Sequence, residues 1–313
     1  MITNRRKLKG GLTDIIKKLQ DFFAYFYKSP NNQNAPPPES GGWNRSFVKN
    51  LFWFCLLFIV AFLAVRLTGH AGRLYTRSGD LVPNVHYVDS AGRNFLFRGG
   101  LPLINNQQTF NYKGLKQAIT IAGNEAGVQM PKDFFIVDVN LLNIESTNDR
   151  NRIFVEHQFF KNHPTLGFIQ VWGINGTGLH VTDPILAANR DYLGRHLDKW
   201  LKDGLGSRIE TLRKWLIGAK YDQRMIANLP IVFFVHCVAG CDRTGEFIGA
   251  YYLRYMNKSW QEMNELNQRM CPHERPFNCR NYYADQWYCL WLNQARGFTL
   301  NWWQEFPCSG KHE

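Results

Sequence analysis

The stretch that most constrains the fold is Ile231 to Tyr252, IVFFVHCVAGCDRTGEFIGAYY. Ile231 to Val235 is a short apolar run of the kind a buried strand takes, the residues after Gly245 read as a helix start, and two glycines mark a tight loop between them. Cys237 falls where the strand ends, and Arg243 where the helix begins. Successive backbone N–H groups closing onto a helix N-terminus form an anion nest, and the helix dipole adds partial positive charge at the same point. Arg243, six residues after the cysteine, can reach back and hold two phosphate oxygens through its planar fork, which Lys does less well. The same field favours a thiolate, so Cys237 is expected to be a nucleophile at neutral pH, with the Thr244 hydroxyl to assist it.

The string HCVAGCDRTG, which is His-Cys, five residues, Arg and then Thr, resembles the signature of the cysteine-dependent phosphatases. Asn84 to Pro102, NVHYVDSAGRNFLFRGGLP, is similar to the opening of dual-specificity-type phosphatase domains, where a strand pair leads into Arg-Gly-Gly-x-Pro. The resemblance covers Asn84 to Gly297, strongly at the loop and loosely elsewhere. It implies that Cys237 attacks phosphorus while Val238, Ala239, Gly240, Cys241, Asp242, Arg243 and Thr244 cradle the phosphate. His236 then orients the loop, and neither a metal nor any other cofactor is required. The Asp-Arg-Thr of the loop is also similar to that of myotubularin-type and Sac-type phosphoinositide phosphatases. Yet Val238 and Asp242 stand where lipid phosphatases that favour highly charged headgroups often place lysines, so the two hints about substrate conflict.

The resemblance further implies an Asp on a mobile loop that protonates the leaving group. Asp183, in HVTDP, follows the run FIQVW and the Gly-rich GINGTG, which is where the family places that residue. Asp203, in LKDGLG, is nearer the nucleophile in sequence and precedes a helix, and Asp242 lies inside the loop itself; Asp183 is favoured. An ordinary cap or turn role is the plain alternative for Asp183 and Asp203. Cys241 is either a small loop filler or the partner of Cys237 in a protective disulfide.

Phe134–Val139, Phe168–Trp172 and Ile231–Val235 read as buried strands, and Leu115–Ala122, Arg190–Leu201, Ser207–Leu216, Glu246–Met256 and Trp260–Met270 as helices. Alternation of the two argues an α/β, dual-specificity-phosphatase-like domain whose short, largely parallel central sheet is flanked by helices. At 313 residues the chain is long enough for a core that needs no staples.

Residues 1–46 form a basic amphipathic segment and a Pro/Asn-rich linker, suited to an anionic membrane face. Residues 47–66 contain an apolar run, uncharged from Leu51 to Val65, that approaches the ~20 residues a bilayer requires, and read as one transmembrane helix. Residues 67–83 are a juxtamembrane linker, and 84–313 the phosphatase-like domain with a Cys-rich C-terminal extension. The Lys/Arg distribution leans to a cytoplasmic N-terminus, which makes that domain lumenal or extracellular. Cys271, Cys279, Cys289 and Cys308 crowd the last 43 residues and suggest two disulfides in an oxidising compartment.

The excess of 37 Lys and Arg over 25 Asp and Glu, a formal charge of +12, calls for an acidic partner: phosphate groups or anionic lipid. Nucleic acid is excluded for want of zinc-finger spacing, a Gly-aromatic RNA signature or a basic readout helix. The expected activity is hydrolysis of phosphate monoesters through a phosphocysteine. A protein-tyrosine or dual-specificity-type substrate comes first, and an inositol phosphate or phosphoinositide is the alternative. A pseudophosphatase that binds phosphorylated ligands without turnover, and a thiol-exchange protein using Cys237 and Cys241, are the readings from other classes.

Overall fold

The computed structural model describes residues 81–219, 222–225, 228–271 and 277–300, all within one unit, Leu74–Glu313. The expected basic segment 1–46, the expected span 47–66, most of the linker 67–83 and Cys308 lie outside the described residues. Among those described, no helix is long and apolar enough to cross a membrane.

Among the described residues, seven strands form two sheets. β1 (His86–Ala91) and β2 (Asn94–Gly99) make an antiparallel hairpin, and the strands β3 (Leu103–Ile104) and β4 (Thr109–Phe110) a separate ribbon. β5 (Phe135–Asn140), β6 (Gly167–Val171) and β7 (Ile231–His236) complete a five-stranded sheet of order β1-β2-β7-β5-β6. All neighbours except the hairpin run parallel. β2, β5 and β7 are buried at every residue, as strands covered on both faces must be, which is why FIVDVN and IVFFVH do not alternate. β7 lies between β2 and β5, so the nucleophile loop leaves the centre of the sheet.

Helices cover the sheet: α1 (Tyr112–Glu125), α2 (Thr147–Asn162), the short α3 (Arg190–Arg195) and α4 (Leu197–Trp200), α5 (Leu205–Leu216), α6 (Asp242–Tyr255), α7 (Trp260–Arg269) and α8 (Cys279–Arg296). α1 buries Leu115, Ala118, Ile119 and Ala122 on one stripe. α7 opens on a reciprocal capping box between Ser259 and Glu262. α8 packs on α6 and α3 and buries every residue from Asn281 to Leu292, including Trp287 and Tyr288.

The architecture is the expected α/β one, with differences in detail. The helix expected over Arg190–Leu201 is two short helices broken at His196, after a 3-10 turn over Pro184–Asn189. α6 begins at Asp242 rather than after Gly245, so Arg243 belongs to its first turn. α2 and α8 were not anticipated.

The cysteines also pair differently from the expectation. Cys271 joins not a neighbour in the C-terminal segment but Cys241, with a Cα–Cα distance of 4.7 Å. Cys289 is a buried free thiol inside α8, and Cys279 is disulfide-bonded. The reason is spatial. Asn84, with φ +59°, points its side-chain amide at the carbonyls of Ala239, Gly240 and Met270, and so brings the end of α7 against the loop. Cys241 is therefore neither a loop filler nor bonded to Cys237, which is free.

Candidate active site

The loop from Cys237 to Thr244 turns its carbonyls outward. Val238 O accepts from the Leu101 N–H at 3.0 Å, Ala239 O from the Asn84 amide at 3.2 Å, and Gly240 O from Arg98 Nη2 at 3.1 Å. In a trans peptide the N–H points opposite to the carbonyl, so the N–H groups of Ala239, Gly240 and Cys241 face the inside of the loop. The Arg-Gly-Gly-x-Pro segment makes this possible. Gly240 has φ +71°, and a Cβ there would lie 2.5 Å from the Gly99 carbonyl carbon, so only glycine lets the loop lie on Gly99 and Gly100. The inward N–H groups lead into the N-terminus of α6, where the helix adds its partial positive charge.

Arg98 is the buried strut of this arrangement. It is wholly inaccessible, and Nη1 donates to Asn267 Oδ1 at 2.7 Å while Nη2 holds the loop. Burial lowers its pKa from the ordinary value, and Tyr252, Cys237 and Asp285 act against that. Asn267 in turn donates to Gly245 O at 3.0 Å, so the middle of the loop and the helical turn that follows it hang on one pair of side chains.

Cys237 sits 3% exposed at the end of β7. Thr244 is buried, and its hydroxyl has no hydrogen-bond partner among the described residues. Arg243 is partly exposed, and its Nη1 lies 2.6 Å from Asp149 Oδ2. Asp149, in the first turn of α2, also accepts from the Asn143 N–H at 3.1 Å and from Arg152 Nη1 at 2.9 Å. Burial works against its ionisation, but these bonds, led by that from Arg243, bring its carboxyl below the usual carboxylate value. Asp149 was missed in the sequence; the signal available was Ser146-x-x-Asp149, a helix-start pattern whose Ser146 does cap α2.

His236 is fully buried, with Nε2 2.9 Å from Asp138 Oδ1 and 3.5 Å from Glu156 Oε2. Burial alone would lower its pKa, and Asp138 and then Glu156 raise it well above the ordinary value. The single group of three metal-ligating side chains found among the described residues is this same trio.

The three acids considered as proton donors are placed differently. Asp183 lies in the connection after β6, partly exposed, with Oδ1 accepting from the Ile185 N–H at 2.9 Å as the cap of the 3-10 turn. That connection leaves the same end of the sheet as the loop, with β5 between them, since Val171 and His236 are each in register with Asn140. Asp203 is buried where α5 begins, accepting from the Leu205 N–H at 3.2 Å, and burial raises its pKa. Asp242 accepts from the Asn278 N–H at 3.0 Å, tying the loop to the start of α8.

No family model and no curated protein matches the chain. Solved structures similar to it include PTPMT1 in complex with PI(5)P, at 13% identity and a TM-score of 0.35, covering 67% of this chain and 98% of that one. P. aeruginosa TpbA is similar at 13% identity and a TM-score of 0.35, over 70% of this chain and 99% of that one. The core catalytic domain of the PP-IP phosphatase SIW14 from S. cerevisiae is similar at 14% identity and a TM-score of 0.30, over 66% and 87%. Overlays this loose carry no argument. The resemblance to cysteine-dependent phosphatases rests on the loop itself.

Proposed function

We propose that the chain is a cysteine-dependent phosphatase that hydrolyses phosphate monoesters. The observation that carries this is the outward turn of three successive carbonyls, which leaves a cradle of N–H groups around Cys237 at a helix N-terminus. Cys237 attacks phosphorus in line, and the loop N–H groups with Arg243 stabilise the equatorial oxygens as charge spreads over them. Asp183, on the connection that leaves the same end of the sheet two strands away from the loop, gives a proton to the departing oxygen. The phosphocysteine is then hydrolysed by water that the same carboxylate activates.

The preferred substrate is a phosphorylated protein side chain. The loop offers no lysine between Cys237 and Arg243, and Cys241, which is tied into a disulfide, supplies no charge to a polyanionic inositol ring. Anchoring by residues 47–66, with the domain on the lumenal or extracellular side, is part of the same proposal. A disulfide that closes the loop is in keeping with an oxidising compartment.

The test is phosphate release from phosphotyrosine peptide, inositol phosphates, phosphoinositides and an aryl phosphate, beside a Cys237→Ser control. Turnover that this change abolishes establishes the enzyme, and the preferred member of the panel gives the substrate class. Tight binding of tungstate without turnover of any member would instead make the domain a phospho-ligand-binding module.

A further inference from the structure

The outer edge of the five-stranded sheet carries a groove that the chemistry above leaves unused. β6 is the last strand of the order β1-β2-β7-β5-β6, so one of its sides has no strand beside it. A groove of about 350 Å³ opens there against the C-terminal half of α2, and its lining joins apolar Phe160, Phe168 and Ile169 to basic His157, Lys161 and Arg224. That volume falls within the range of ligand sites.

Charge says what fits. Arg224 sits over the Phe168 ring, 3.9 Å from its centroid, and Asp222 holds it there at 2.8 Å and 2.9 Å, so its charge is largely answered. Lys161 makes no ion pair among the described residues, and neither does Arg150. A helix turns ~100° per residue, so Arg150, Phe154, His157 and Lys161 fall within ~60° of one another on α2. All four are exposed, Phe154 at 60%, while the two acids of the helix, Asp149 and Glu156, are buried. The stripe is a basic track with an aromatic ring in it. It starts beside Asp149, where Arg243 is met, and reaches the groove ~18 Å further along the helix at ~1.5 Å per residue.

The backbone of β6 says in what form. The Ile136 N–H donates to Leu166 O at 3.0 Å and the Trp172 N–H to Asn140 O at 2.8 Å, which fixes the alternation along this parallel pair. Phe168 and Gln170 bond to β5, and Gly167, Ile169 and Val171 turn their backbone groups away from it. The Ile169 carbonyl is met by Arg224 Nη1 at 3.5 Å, and among the described residues nothing accepts from the N–H of Ile169 or Val171. Donors two residues apart on an open strand match the repeat of an extended chain. A lipid headgroup has no such repeat.

We propose that this groove and the stripe leading to it dock an extended acidic segment of the phosphoprotein substrate. The segment runs along β6, its carboxylates meet Lys161 and Arg150, and one of its apolar side chains enters the groove. The inference rests on the phosphatase reading and on its preference for protein. An extended chain rises ~3.3 Å per residue, so ~6 residues separate the docked acids from the phosphorylated residue at the loop.

The experiment compares the full chain with its Lys161→Glu variant on two substrates: an aryl phosphate, and a random copolymer of glutamate and tyrosine phosphorylated on tyrosine. KM for the copolymer should rise about threefold or more in the variant at unchanged kcat, since the reversal removes one exposed ion pair and adds a repulsion. Both constants for the aryl phosphate should stay as they are. Fluorescence anisotropy with the unphosphorylated copolymer, on the Cys237→Ser background, should show the same weakening without turnover, and a lysine-tyrosine copolymer should not compete. Amide exchange at Ile169 and Val171 should slow when the acidic copolymer binds. If turnover of the aryl phosphate depends on Cys237 but Lys161→Glu leaves KM and binding of the copolymer unchanged, the docking site is refuted while the phosphatase reading stands. If Cys237→Ser does not affect phosphate release, the phosphatase reading falls, and anisotropy and exchange still decide whether the groove binds an acidic chain. Sensitivity to Lys161→Glu confined to phosphoinositide vesicles would overturn the proposal in favour of a membrane contact.

Discussion

The Cys241–Cys271 bond should hold the loop in place and also a large part of the stability of the domain. It closes a loop with a sequence separation of 30 residues. In the chain-entropy account, that closure removes ~12 cal/mol/K from the unfolded ensemble, or ~3.6 kcal/mol at 25 °C, a large share of the stability of a typical domain. Reductant would also open the bond made by Cys279, so the clean perturbation is the Cys241→Ala/Cys271→Ala double variant. Both positions are buried, at 0% and 4% exposure, so the two missing sulfurs leave voids that add to the loss. Urea unfolding followed by tryptophan fluorescence should show a loss of about 3 to 5 kcal/mol, and the variant should no longer respond to mild reductant at the loop. A loss under about 1 kcal/mol would refute the reasoning, because the loop and α7 would then be held together by Asn84 and packing alone.

Three further outcomes test the scaffold. Gly240→Ala puts a Cβ 2.5 Å from the Gly99 carbonyl carbon at φ +71°, so the loop must move; circular dichroism should stay native while tungstate binding and kcat/KM collapse. Asp149→Asn removes the charge paired with Arg243 and should lower kcat/KM on the order of tenfold, a charge-assisted bond being worth ~1.5–3 kcal/mol. His86 is lowered from 6.5 to about 4, first by burial and then by Arg98. The unfolded chain therefore binds the extra proton between those values, and stability should fall as pH drops from 6.5 toward about 4. Urea midpoints across that range should show a steeper slope for the parent than for His86→Gln.

How much of this was legible in the sequence depends on which residues face inward. β5, β6 and β7 stood out because only Asp138 and Gln170 interrupt the apolar runs Phe134–Val139, Phe168–Trp172 and Ile231–Val235, and HCVAGCDRTG named its own strand, loop and helix. α2 was hidden because its buried stripe, Asp149, Ile153, Glu156 and Phe160, has perfect helical spacing but is half acidic, and an apolar template cannot see it. α8 was hidden for the opposite reason, being buried almost all round and so lacking a polar face to give it a period. The Cys241–Cys271 pairing had no local signal at all. It depends on Asn84 reaching two segments far away in sequence, a three-body arrangement that spacing between cysteines does not encode.

The miss at α2 leads back to the site. Asp138, Asp149 and Glu156 break the hydrophobic pattern of the strand and helix that carry them, and each is directed at a residue of the loop or the histidine just before it: Asp149 at Arg243, the other two at His236. A core holds an ionised acid only when something of opposite charge meets it, and for these three what meets it flanks the nucleophile. α2 was therefore missed where the domain gives up apolar packing to hold its charges. An Asp or Glu interrupting an inward-facing stripe should have been read as a pointer to the site.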